Sequence, residues 1–258
     1  MPDLAQPAFV FPEGLTLAAV AGRQATERVL APHLHAQGEL LGSMRGLLSI
    51  GTEAGVWIVP ATHAVWLPPG HRHSARSHGP YDGCVVYVAE DACAALPERP
   101  CTIRTSGLLR EAVLRAATWC GSLDEQSRRV AAVILDEIGS LPVEPFGLPL
   151  PRDGRLLRVA QALIADPADG RDLAAWASWA AVSARTLSRR FVSETGFSFT
   201  AWRQRARLLR SLEMLAAGEP VGAIALDLGY ATASAFINLF RRVFNETPAA
   251  YRERLALA

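Results

Sequence analysis

The chain has 258 residues, half of them hydrophobic and a fifth charged, with a net charge of +1. That composition excludes a disordered or low-complexity chain and allows one large or two ordinary globular domains. The near-neutral total conceals a division: from Arg152 onward 15 Arg stand against 10 Asp and Glu, a net of +5, whereas the residues before it carry −4. No lysine is present, so every side-chain cation is a guanidinium, and the basic C-terminal half is the one suited to nucleic acid.

At the start, Met1-Pro-Asp-Leu-Ala-Gln-Pro7 lacks the basic residues and apolar run of a signal peptide, and no apolar stretch is long enough to span a bilayer. A cytoplasmic location without membrane contact is expected. Residues 15 to about 88 read as short strands broken by Gly and Pro, at Leu15–Val20, Leu40–Ile50, Gly55–Ile58, His63–Leu67 and Cys84–Val88. Such punctuation argues a sandwich or small barrel. Cys84, Cys93, Cys101 and Cys120 lack the CxxC spacing of zinc sites and are expected as reduced, buried thiols.

Two motifs lie within these strands. His33-Leu-His35-Ala-Gln-Gly-Glu39 is followed by Gly46 seven residues beyond the glutamate, and Pro68-Pro-Gly70-His-Arg-His73 comes later. Histidines at i and i+2 on a strand share one face, where a carboxylate can close around a cation. In order and spacing the motifs resemble the two cupin signatures, with Ser77 where the second normally ends in Asn. The resemblance implies a divalent metal held by His33, His35, Glu39 and His73, although the same glycines and proline also serve as turn residues. His63, His71 and His78 follow no pattern and read as surface or core.

Two helices are expected next. The first begins near Ser106, with Leu109, Val113 and Ala116 or Ala117 on one stripe. The second opens with Ser122-Leu-Asp-Glu125 as a capping box, runs through Val130, Ile134 and Ile138, and stops at Gly139. Leu141–Pro151 has Pro at 142, 145, 149 and 151, which makes an extended, semi-rigid linker.

Beyond it, Asp153 caps a helix reaching Ala165, with Leu156, Val159, Ala160 and Leu163 on its inner face. One device then occurs twice: a short amphipathic helix, a tight turn and a second helix with polar and basic residues outward. The copies span about 172–193 and 221–244, and a helix over Phe199–Ala217 separates them. Pro248, after Thr247 as cap, starts a closing helix. A helix-turn-helix lays its second helix in the major groove. Arg suits guanine edges and Asn suits adenine, so Ser183, Arg185, Thr186, Ser188 and Arg189 in the first copy are candidate DNA contacts. Thr232, Ala233, Ser234 and Asn238 are their counterparts in the second. Arg190, Arg241 and Arg242 are better placed for phosphates.

The stretch from Arg155 to Arg252 carries Arg190-Phe191, Glu194-Thr195-Gly196-Phe197-Ser198, Trp202, Arg207, Leu228-Gly229-Tyr230 and Thr247-Pro248. In these it resembles the DNA-binding domain of the AraC/XylS family of bacterial transcription regulators. Val59-Pro60…Trp66-Leu-Pro-Pro-Gly70…His73 is similar to the NimR-like subset.

The resemblance implies an α+β chain of two domains. Residues 1–98 would be a cupin-like β-barrel that senses an effector, and 99–140 a helical pair that commonly dimerises in the family or else packs on its own barrel. Residues 141–152 would be the linker and 153–258 an all-α DNA-binding domain. His33, His35, Trp57, Trp66 and His73 would line the effector pocket, although the two tryptophans read first as barrel core and only then as its aromatic wall. No cofactor is certain, since cupin barrels in such regulators often bind an organic effector without metal. Double-stranded DNA, a small-molecule effector, RNA polymerase and a second copy are the implied partners. The output is regulation of transcription, as activator or repressor, and not catalysis. A metal-dependent cupin enzyme tethered to DNA, and an architectural DNA-binding protein with a vestigial barrel, are the competing readings.

Overall fold

The computed structural model describes residues 11, 14–119, 123–144 and 146–257. The chain divides into two compact units, one formed mainly by residues up to Gly147 and the other by Leu148–Leu257 together with Glu53–Val56.

The first unit holds β1 (Leu17–Gln24), β2 (Arg28–His33), β3 (Gly38–Arg45), β4 (Leu47–Thr52), β5 (Gly55–Pro60), β6 (His63–Leu67), β7 (His73–Ser77), β8 (Tyr81–Val88), β9 (Cys101–Arg104) and β10 (Val143–Glu144). With β11 (Gly147–Pro149) they make two sheets, ordered β1-β8-β3-β6-β9-β10 and β11-β5-β4-β7-β2. The cupin-like barrel expected from the motifs is therefore not closed: two separate sheets pack on each other. Gly46 stands where the chain crosses from one sheet to the other. Its φ of +81°, and the Pro80 carbonyl oxygen that a Cβ would strike, require glycine there.

The six-stranded sheet is buried on both faces, which explains its nearly unbroken apolar runs. Successive side chains point to opposite sides. Leu41, Val65 and Val85 face inward against Leu48, Ile50, Trp57 and Val59 of the five-stranded sheet. Their neighbours Leu40, Trp66 and Val86 face outward, onto α1 (Gly107–Ala116) and α2 (Glu125–Ser140). The helical pair thus covers its own sheet through Leu109, Val113, Ala116, Ala131, Ile134 and Ile138.

Several boundaries differ from expectation. The N-cap of α2 is Asp124, whose side chain accepts from the Ser127 amide at 2.8 Å. Ser122, Cys120 and Pro145, like residues 1–10, lie outside the described residues. Gly139 does not end α2, which runs on to Ser140. The Leu40–Ile50 run is two strands, and β2, β7 and β9 had no local signal. The proline-rich stretch is extended as expected, but Val143–Glu144 pairs with β9.

The second unit is α3 (Gly154–Ala165), α4 (Leu173–Trp179), α5 (Ala184–Thr195), α6 (Phe199–Ala216), α7 (Val221–Asp227), α8 (Ala233–Phe244) and α9 (Pro248–Leu257). Asp153, Asp172, Ser183, Ser198 and Thr232 each accept a first-turn amide as N-cap, and Thr247 accepts from the Ala250 amide at 3.2 Å. Each such cap stabilises its helix by about 1 kcal/mol. Gly196 and Asn245, both in the left-handed region, end α5 and α8. Phe191 packs edge to face on Trp202, and Phe240 on Phe236 and Tyr251; these five and Trp176 are all buried. The Trp202 indole also donates to the Pro149 carbonyl at 2.7 Å.

Candidate functional site

The geometry of α5 and α8 follows from which face the core takes. Leu187 and Phe191 of α5, and Phe236 and Phe240 of α8, are fully buried. Arg185 and Arg189 are left exposed one turn apart on α5, with Ser183 exposed and Thr186 and Ser188 half-buried. On α8, Ser234, Asn238, Arg241 and Arg242 are exposed, as is Thr232 before them, while Ala233 is half-buried.

Two caps and one arginine have internal partners. The Ser183 hydroxyl accepts from the Thr186 amide at 3.1 Å, and the Thr232 hydroxyl from the Ala235 amide at 3.2 Å. Arg190 was expected on phosphate. Instead its guanidinium pairs with Asp153 and lies 3.1 Å from Glu194, which brackets α5 to the start of α3. Two carboxylates already neutralise it, so Arg190 is a structural brace. The Asp153 carboxyl is held at about 2: burial alone would raise it, but Arg155, two backbone amides and Arg190 outweigh that.

In the first unit the two motifs converge. His33 ends β2 and His73 begins β7, and the register places them opposite each other. His35 follows in the loop and Glu39 lies on β3. One ring nitrogen of each histidine lies within 4.8 Å of the others. The Nδ1 atoms of all three rings face backbone carbonyl oxygens, of Ala31 at 3.1 Å, Gln37 at 3.0 Å and His71 at 2.8 Å. With Nδ1 donating, Nε2 is the ring atom left to take a metal on each histidine, or, on His35 and His73, a proton shared with Glu39.

Glu39, 3 % exposed, closes the cluster with Oε2 at 3.2 Å from His35 Nε2 and 2.8 Å from His73 Nε2. The His73 contact is close enough for an ion pair but poorly directed for a hydrogen bond, so this buried nitrogen has no hydrogen-bond partner. Burial alone would raise the Glu39 carboxyl, yet the imidazoles of His35 and His73 beside it outweigh that and hold it at about 2. Burial lowers His33, and the neighbouring His73 adds to that. For His73 burial acts downward, but Glu39 outweighs it and the pKa is raised.

A small cavity of about 40 Å³ adjoins this cluster between the sheets, lined by Glu39, Gln24, Arg28, Ser77, Tyr81 and Tyr87 among others. It has room for a few water molecules. Neither expected tryptophan lines it. Trp57 is packed into the inter-sheet core, whereas Trp66 faces the opposite side of its sheet and donates its indole hydrogen to the Pro97 carbonyl. His33, His35 and His73 also stand outside its lining and touch it only through Glu39. Gln24, Arg28 and Tyr87 were missed by sequence reasoning because they come from separate strands without a shared motif.

Comparison with known proteins covers both units. Residues 15–174 match the AraC-like ligand binding domain, and residues 176–254 match a helix-turn-helix domain. The chain is similar to the HTH-type transcriptional regulator NimR of Escherichia coli, with 32% identity over 89% of this chain and 85% of that one. It is also similar to the HTH-type transcriptional regulator RipA of Corynebacterium glutamicum, with 35% identity over 47% of this chain and 35% of that protein. Among solved structures, ToxT from Vibrio cholerae aligns over 92% of this chain and 98% of its own, at 11% identity and a TM-score of 0.41. Among the described residues, no helix is long and apolar enough to cross a membrane.

Proposed function

The chain belongs to the AraC family of DNA-binding transcription regulators, and from that premise we propose how its two units divide the work. α5 and α8 enter successive major grooves. Arg185, Ser188 and Arg189 read base edges from α5, and Ser234 and Asn238 do so from α8, with Thr186 and Ala233 contributing small contacts. Ser183 and Thr232, exposed at the helix starts, lie near the backbone, and Arg241 and Arg242 neutralise phosphates. RNA polymerase and a second copy of the chain are the expected protein partners, in the cytoplasm where the DNA lies.

The ligand-binding unit is proposed to hold a divalent metal on His33, His35, His73 and Glu39. The observation that carries this is the shared orientation of the three rings: each Nδ1 is committed to a carbonyl, and the buried His73 Nε2 lacks a well-directed partner. Three imidazoles and a carboxylate suit zinc, nickel, copper or iron. Once bound, the ion would offer its open coordination positions to an oxygen or nitrogen donor. The chain's own residues orient the rings and keep Glu39 ionised.

Elemental analysis of the purified full-length protein, beside a His33→Ala, His73→Ala double variant, tests the metal. One equivalent in the wild type and none in the variant is the expected result. Wild-type protein that stays metal-free after incubation with zinc, nickel, copper or iron would overturn the metal reading and leave the regulator assignment intact. If the metal is part of sensing, its removal changes operator affinity by roughly 5- to 150-fold, the usual range of coupling between sites.

A further inference from the structure

We propose a second ligand site on the opposite face of the six-stranded sheet, between β3, β6 and helix α1, for a compact, uncharged, largely apolar molecule with one hydrogen-bonding group. The cavity there measures about 300 Å³, against about 40 Å³ between the sheets. An enclosed apolar cavity of about 150 Å³ already accepts benzene, so the outer space takes a one- or two-ring molecule and the inner one does not.

The lining sets the chemistry. Leu40, Ala64, Leu109 and Val113 give it an apolar floor and wall. Most of its polar groups are occupied: Ser43 donates to backbone oxygens of the Gly46 turn, and Ser106 pairs with Glu137 while capping α1. The charged liner Arg110 is exposed and paired with Glu111 at 2.9 Å, so the wall offers no unpaired charge. The Thr105 hydroxyl is different. Its oxygen is buried and lacks a hydrogen-bond partner in the structure. Buried polar groups are nearly always satisfied, and one that is not points to a missing partner. A ligand hydroxyl, phenol or amide supplies that partner once the Thr105 side chain turns its oxygen towards the cavity it lines. At the same place Thr62, a β-branched residue, holds a φ of +75°, a strained conformation of the kind that gathers at ligand clamps.

This site does not depend on the metal. It touches α1 directly, and α1 packs against α2 and the sheet, so occupancy bears on the helical layer and not on the histidine cluster.

The probe is 2-naphthol, titrated into the full-length protein by calorimetry, with 2-naphthoate as the charged control. Saturable binding of one equivalent is expected, with a Kd on the order of 10–100 µM, and weaker binding of the naphthoate. Ala64→Leu and Val113→Phe fill the cavity from the sheet and helix sides, and each abolishes binding while the protein stays folded by circular dichroism. Having both covers the case in which one fails to fold. Thr105→Val keeps the shape, removes the hydroxyl and weakens binding at least tenfold. No saturable binding, or binding that survives both filling variants, overturns the proposal. Binding lost in His33→Ala, His73→Ala but kept in Ala64→Leu would move the ligand to the inner site. Tighter binding of the naphthoate would overturn the uncharged class.

Discussion

In the first helix-turn-helix, α4 is capped by Asp172, the Arg171 guanidinium lies 3.7 Å over the Trp176 ring, and α5 is braced through Arg190 to Asp153 and Glu194. In the second, α7 starts at Pro220 without a side-chain cap, and Arg241 and Arg242 at the end of α8 have no carboxylate at ion-pair distance among the described residues. The apolar scaffold is the same in both, with Leu187 and Phe191 answered by Phe236 and Phe240. One device has been equipped in two ways. The first copy holds its second helix through a paired cation and leaves Arg185 and Arg189 exposed, whereas the second leaves Arg241 and Arg242 exposed and unpaired among the described residues. Shared packing gives a shared fold, and the copies differ in how their cations are committed.

The largest effect should show where the copies are alike. Phe191→Ala and Phe236→Ala each remove a fully buried ring and should each cost about 3–5 kcal/mol of stability, measured by urea unfolding followed through amide exchange of the C-terminal helices. A clearly smaller loss for Phe236 would mean that the scaffolds are not equivalent. Next, Arg189→Ala should weaken cognate DNA by about 1–3 kcal/mol and relax preference at one base pair, read by mobility shift on cognate and random duplexes. Equal losses on both would remove the reader role from α5. Arg242→Ala should weaken all sequences alike and reduce the slope of log K against log salt by about one; a sequence-selective loss would instead make Arg242 a base contact.

The smallest effect concerns the brace. With its pKa depressed to about 2, Asp153 contributes stability that is fully present above the unfolded carboxyl value of about 3.9 and is lost as pH falls towards 2. Asp153→Asn should therefore destabilise α3 and α5 at pH 6, and its deficit should vanish towards pH 2, as followed by amide exchange. A deficit that is independent of pH would show that the Asp153 charge is idle.

How far the sequence spoke depended on the range of each signal. The helices of the second unit were legible because their boundaries are written locally. Asp153, Asp172, Ser183, Ser198, Thr232 and Thr247 each cap within three residues, and Gly196 and Asn245 stop what they end. The sheets were legible only in part. β2 is an edge strand of mixed character, and β7 and β9 take their place from partners far along the chain, so their local pattern was weak. His33, His35, Glu39 and His73 were found because a motif carries them together. The ion pair of Arg190 was not legible because its partner Asp153 stands 37 residues away. Trp66 is core, but on the outer side, and a sheet buried on both faces gives no sequence clue to which side a residue takes. The outer cavity is invisible to sequence for the same reason.

α6 runs without interruption from Phe199 to Ala216 between the two reading devices. An unbroken helix is a screw as well as a spacer: every residue added turns the downstream helices by about 100° and advances them by about 1.5 Å. A single insertion in α6 would point α8 away from the groove while leaving both cores intact, and a four-residue insertion would nearly restore its phase at a separation greater by about 6 Å. If both α5 and α8 enter the duplex, as proposed, the pitch of this protein helix would be matched against that of the duplex, and an operator of altered spacing would meet only one of them in phase.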